Sequence, residues 1–179
     1  MRAELITWLM RVHGSAAGLV ETLFLSVNYL DRFLSRRAGV HPDKLQLVGA
    51  TAMLLAAKYV EGNATCLTVK TMAAMCGGAY SANEIVLAER IMMTALQHKL
   101  GWPGPMDFLH RTSKADGHDL RIRTLAQYFL EVAVMDERFI GCVPSFTAAG
   151  AYCLARIMLR RGDWVGRSST CFSLGYFLR

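Results

Sequence analysis

The run KLQLVGATAMLLAAKYVEG, Lys44 to Gly62, holds thirteen residues from Leu45 to Ala57 with almost nothing that water would solvate, and then a lysine at position 58. Leu45, Val48, Ala52, Leu55 and Tyr59 recur at the three- and four-residue steps of a helix, and Pro42 suits a first helical turn. The other faces of the run also carry small or apolar residues, so this is a helix enclosed by neighbours. It is too short, and too interrupted by Gln46 and Thr51, for a bilayer that needs about 20 apolar residues. A lysine at its C-terminal end suits the helix dipole and could simply snorkel out to water. Whether Lys58 does more depends on a partner.

Helical periodicity predicts further elements over Ala3 to Val12, Glu21 to Leu34, Val69 to Cys76 and Ala82 to Leu100, the long run itself being read from Pro42 to Tyr59. Ser81 and Glu84 at the start of the fifth form a capping-box pattern. No convincing strand intrudes, which predicts an all-α chain. GWPGP, Gly101 to Pro105, places two prolines and two glycines in five residues and is the clearest boundary in the sequence. A second helical set follows over Met106 to Thr112, Leu120 to Met135 and Ser145 to Leu159. Glu21 to Leu34 and its small-residue successor echo Leu120 to Met135 and TAAGAYCLAR at an offset of about 100 residues, the trace of a duplicated helical module.

The chain has 179 residues, 53% of them hydrophobic and 19% charged, enough for one sizeable core or two small ones and too apolar for disorder. Its net charge of +6 permits anionic partners. Arg36-Arg37 and Arg160-Arg161 are nevertheless isolated pairs, and the other basic residues mostly alternate with acids, which reads as solvated faces and not as a nucleic-acid stripe. Five cysteines, at 66, 76, 142, 153 and 171, form no C-x-x-C pattern, and no signal peptide opens the chain, as for a reduced protein of cytosol or nucleus. The histidines at 13, 41, 98, 110 and 118 make no metal motif, and neither a nucleophile elbow nor a phosphate loop occurs. Asp136 and Glu137 point to different helix faces and read as a solvated helix end. No enzyme chemistry, cofactor or metal is indicated.

MRAELITWL, ETLFLSVNYLDRFLS, KLQLVGATAMLLAAKY and AERIMMTALQHKLGWPGPMDFLHR resemble the cyclin box, and the run from Ser113 to Trp164 resembles the second cyclin fold of fungal mitotic B-type cyclins. The resemblance is collinear over almost the whole chain. It implies two five-helix folds, a first cyclin box over residues 1–104 and a second cyclin fold over 105–179 that lacks its last helices. It also implies a regulatory protein of G2 and mitosis in nucleus and cytoplasm, with no catalysis, no cofactor and no membrane or nucleic-acid partner. The partner it implies is a cyclin-dependent serine/threonine kinase. In the family a lysine closing the third helix and a glutamate on the fifth contact that kinase, and these fall on Lys58 and Glu89, with apolar contact positions at Leu55, Tyr59, Met93 and Leu100. A substrate-docking patch for arginine-x-leucine segments falls on Met1, Leu5, Trp8, Leu45 and Gln46.

The sequence departs from the family at Glu4, Thr7, Arg11, Val60 and His98, and over residues 63–78. An incomplete second fold would leave Tyr152, Leu154, Ile157 and Met158 partly uncovered, with the apolar CFSLGYFLR, Cys171 to Arg179, folding back or joining another chain. The rival readings are a two-fold transcription-initiation protein that bridges DNA and protein, and a degenerate cyclin paralogue without activity.

Overall fold

The computed structural model describes residues 1–37 and 39–161, and CFSLGYFLR lies outside them. The chain divides into two compact units, Met1–Trp102 and a second beginning at Pro103. Both are helical, and no strand occurs among the described residues.

The first unit carries α1 (Arg2–Ala16), α2 (Val20–Arg36), α3 (Leu45–Val60), α4 (Val69–Met75) and α5 (Ala82–Ala95). Helix α3 is its axis: Ala50, Ala52, Met53, Leu54, Ala56 and Ala57 are wholly buried, as a run apolar on every side requires. Gly49 lets α1 approach, because a Cβ there would stand 2.9 Å from Leu5 Cδ1. Arg2 grips Asp31 through two parallel bonds of 2.9 and 2.7 Å and so ties the start of α1 to α2. Pro42 opens a separate 3-10 turn, Pro42–Lys44, and the α-helix proper begins at Leu45.

Local chemistry sets the other starts. The Ser81 hydroxyl accepts from the Glu84 amide while the Glu84 carboxylate accepts from the Ser81 amide, which completes the expected capping box of α5. The Ser81 amide, and after it the Ser81 hydroxyl, which also donates to the carboxylate at 2.9 Å, hold the Glu84 carboxyl below its ordinary range. Thr68 and Thr71 cap α4 in the same reciprocal way.

The fifth helix stops sooner than its periodicity predicts, at Ala95 and not at Leu100. Gln97 and His98 both take left-handed backbone angles, with φ of 56°, and the His98 amide turns back to the Met93 carbonyl. Three side chains of α2 hold the resulting hook. Arg36 donates to the Ala95 carbonyl at 2.7 Å, Arg32 to the Lys99 carbonyl at 2.8 Å and Tyr29 to the Leu100 carbonyl at 2.8 Å. Carbonyls that a longer helix would have paired internally are bonded from a neighbour instead.

The second unit carries α6 (Pro105–Ala115), α7 (Leu120–Met135) and α8 (Pro144–Met158). Its most extensive packing joins α7 to α8, as α2 joins α3 in the first unit. A buried ionic cluster locks it: Asp116 accepts from the Tyr152 hydroxyl at 2.8 Å and from the Arg156 guanidinium, whose second arm donates to the Arg161 carbonyl at 2.9 Å. The expectation that Tyr152 is partly uncovered is therefore corrected, since the ring is wholly buried and its hydroxyl has a carboxylate partner. Leu154, Ile157 and Met158 lie on the other side of α8, and 45, 64 and 60% of their surface is exposed.

Candidate functional site

The C-terminal end of α3 and the middle of α5 meet in one ion pair. Lys58 Nζ stands 2.7 and 2.8 Å from the two carboxylate oxygens of Glu89, 31 residues away in sequence. The Glu89 side chain is 12% exposed and Lys58 is 44% exposed, so the lysine forms the outer lip of the pair. A carboxylate chelating one ammonium keeps lone pairs for a second donor, and a partly exposed ammonium keeps protons for a second acceptor.

Tyr59 stands beside the pair, half of its surface open to solvent, and its hydroxyl reaches the backbone of Gly101, where a Cβ would come within 3.2 Å. Met93 and Leu100 are half-buried. The hook held by Tyr29 and Arg32 positions Leu100, so the surface is assembled from α3, α5 and the segment after α5. Burial, then the neighbouring Tyr59, pushes the Tyr29 hydroxyl above its ordinary ionisation range and keeps it a donor. Leu55 differs from its companions: at 4% exposure it belongs to the core beneath this surface. Sequence reasoning missed Tyr29, Arg32 and Arg36 as supports. Their signal is faint, polar tips at three- and four-residue steps on an amphipathic helix that carries other polar residues as well.

The residues of the expected docking patch are less uniform. Met1 is exposed, Trp8, Leu45 and Gln46 are half-buried, and Leu5 is buried against Gly49, one turn along α3 from Leu45. Arg11 and Glu4 are exposed, and Glu4 lies 3.5 Å from the Met1 amino group. Below the opposite end of α1, Glu61 accepts from the Leu19 amide at 3.1 Å and the Thr22 hydroxyl at 2.6 Å. A negative carboxylate thus sits at the N-terminus of α2, where the helix dipole favours it.

Among the described residues no group of side chains is arranged to hold a metal ion, and no helix is long and apolar enough to cross a membrane. What the arrangement offers is a surface: an apolar floor, one exposed aromatic ring and a charged pair, the composition of a protein interface.

Comparison with known proteins agrees with this architecture. Residues 1–101 match the family described as the cyclin N-terminal domain, and residues 103–176 match the cyclin C-terminal domain. The chain belongs to the cyclin family. It is 52% identical to the G2/mitotic-specific cyclin-4 of Candida albicans over 92% of its own length and 33% of that protein's. It is 45% identical to G2/mitotic-specific cyclin-3 of Saccharomyces cerevisiae, covering 91% of this chain and 38% of the relative. The G2/mitotic-specific cyclin cdc13 of Schizosaccharomyces pombe is 44% identical over 92% of this chain and 33% of its own. The chain thus spans about a third of the length of these curated relatives. A solved viral cyclin from herpesvirus saimiri shares the fold with a TM-score of 0.80 at 20% identity, over 91% of this chain and 72% of that one.

Proposed function

We propose that this chain is a regulatory subunit that binds and activates a cyclin-dependent serine/threonine kinase in G2 and mitosis, and performs no catalysis itself. The observation that carries this reading is the Lys58–Glu89 pair, set at the rim of Tyr59, Met93 and Leu100 and open on its lysine side. The names of the relatives, all G2/mitotic-specific cyclins, support the timing. Such a role places the protein in nucleus and cytoplasm, with no membrane, cofactor or nucleic-acid partner. The two functional modules have their boundary within Gly101 to Pro105, residues 1–104 and 105–179.

A kinase needs its lysine–glutamate pair closed around ATP, and that pair forms only when a mobile helix of the kinase is turned inward. A rigid surface that binds the inward arrangement better than the outward one shifts the population toward activity. Here the rigidity comes from the buried α3 axis, which carries Lys58 and Tyr59. Lys58 and Glu89 fix the register, and Tyr59, Met93 and Leu100 provide the apolar contact, with Leu55 beneath them.

Substrate docking through Met1, Leu5, Trp8, Leu45 and Gln46 is weak in this reading. Leu5 is spent on the core, and exposed Arg11 repels the arginine of an arginine-x-leucine segment.

Co-expression with a mitotic cyclin-dependent kinase, followed by pull-down and a histone phosphorylation assay, tests the reading. A stable complex with a gain in kinase activity supports it. Absence of a complex, together with steeply salt-dependent DNA binding, would instead favour a DNA-bridging cyclin-fold protein.

A further inference from the structure

On the other flank of α5 lies a groove of about 270 Å³ that the ion pair does not touch. Ile91 follows Glu89 by two residues, so the helix turns it about 200° away from the kinase-facing side. The groove has an apolar floor of Phe33, Val48, Met92 and Ile91, and Arg37 and Lys44 stand at its rim. Phe33, Val48 and Met92 are buried, whereas Ile91 is 39% exposed and offers its side chain to an occupant.

Basic side chains outnumber acids around this groove. Arg37 is exposed and makes no ion pair among the described residues. Arg36 and Arg32, one turn apart on α2, donate to the carbonyls of Ala95 and Lys99, and Arg32 also donates to the Asn28 side chain, so carboxylates neutralise neither. Two acids adjoin the rim, and both are engaged. Glu84 lies 4.0 Å from Lys44 and is held by Ser81, and Asp43 pairs with His41 at 3.0 Å. The remaining field is positive, beside a pocket sized for an apolar side chain.

We infer that this groove between the C-terminal end of α2, the N-terminal half of α3 and the outer flank of α5 docks an acidic partner segment, one leucine-like anchor flanked by carboxylates. The anchor fills the floor against Ile91, and the flanking carboxylates meet Arg37 and Lys44. A nucleic-acid strand matches the charge but leaves the apolar floor unused. Because the groove and the Lys58–Glu89 surface occupy opposite flanks of α5, the inference does not depend on kinase binding.

The test is titration of the full chain with fluorescent synthetic peptides. One carries leucine flanked by glutamates, a second replaces the leucine by alanine, and a third replaces the glutamates by lysines; single-stranded DNA serves as competitor. The leucine–glutamate peptide should bind tightest, and its affinity should fall as salt rises. Arg37→Glu with Lys44→Glu should weaken it by about tenfold or more and transfer preference to the lysine-flanked peptide. Ile91→Gln, at a half-exposed site, should weaken it with the melting temperature retained. Lys58→Ala with Glu89→Ala should leave it unchanged, whatever that pair does to kinase binding. The inference is overturned if the three peptides bind alike, if DNA displaces the peptide without regard to its leucine, or if folded Ile91→Gln binds as the parent does.

Discussion

The hydroxyl of Tyr29 donates to the carbonyl of Leu100 at 2.8 Å, so a side chain in the middle of α2 fixes a backbone position beyond the end of α5. Tyr29 is wholly buried, and without its hydroxyl that carbonyl loses its partner. Tyr29→Phe should therefore cost about 1–2 kcal/mol in urea unfolding, the penalty for leaving a buried polar group unmade. An unchanged midpoint would mean that water replaces the hydroxyl at the hook.

The pair of Lys58 and Glu89 should matter far more to association than to folding. With Lys58 nearly half exposed, Lys58→Ala is expected to cost under about 1 kcal/mol of stability. Loss of a charged contact buried at a kinase interface costs about 2–5 kcal/mol in affinity. Melting curves and kinase pull-down on the same variant separate the two. A variant that binds and activates as the parent does would remove Lys58 from the interface.

In the second unit the sensitive position is Asp116. Replacing it with asparagine strands the buried Arg156 guanidinium, and a loss of about 3–5 kcal/mol is expected. Ile157→Ser, 64% exposed on the outer side of α8, should stay within about 0.5 kcal/mol of the parent. Thermal unfolding of the two variants should rank them far apart, and equal losses would contradict the burial of the cluster.

Asp136 gives a direct titration. Side-chain and backbone bonds from Arg138 hold its carboxyl well below the usual range, at about 2. A carboxyl depressed on folding adds stability that is present above its unfolded value and is lost as pH falls through the folded one, here between about pH 4 and 2. Carbon-detected NMR should find that low midpoint, and Arg138→Ala should return it toward the usual carboxylate range. A midpoint that does not respond to the substitution would exclude Arg138 as the cause.

Much of the fold was legible in the sequence because long apolar faces declare themselves locally. The three-four steps of Glu21 to Leu34 and Leu120 to Met135 need no distant partner to be read as helices. The end of α5 is hidden in the sequence because Met92, Leu96 and Leu100 continue the apolar step, and Gln97, His98 and Lys99 include no glycine or proline to stop it. The stop is imposed by Tyr29, Arg32 and Arg36, more than fifty residues earlier in the chain. The burial of Tyr152 is hidden for the same reason, its partner Asp116 lying 36 residues away. Of the candidate site, the pairing of Lys58 with Glu89 came from family resemblance, since nothing local joins an α3 lysine to one glutamate of α5. Nothing local distinguishes Arg37 and Lys44 from ordinary solvated charges, because the groove between them exists only once three helices have met.

The all-round burial of α3 also sets an order of local opening. Its central amides, flanked by residues such as Ala50, Met53 and Leu54 with no exposed surface, can exchange hydrogen with solvent only when the whole first unit opens. Lys58 therefore hangs from the segment of slowest exchange. Leu100 belongs to a hook held by three side-chain bonds, of which the two to the Ala95 and Lys99 carbonyls are exposed and can release in smaller fluctuations. One half of the surface is a fixed reference, and the other half is the part able to yield when a partner arrives.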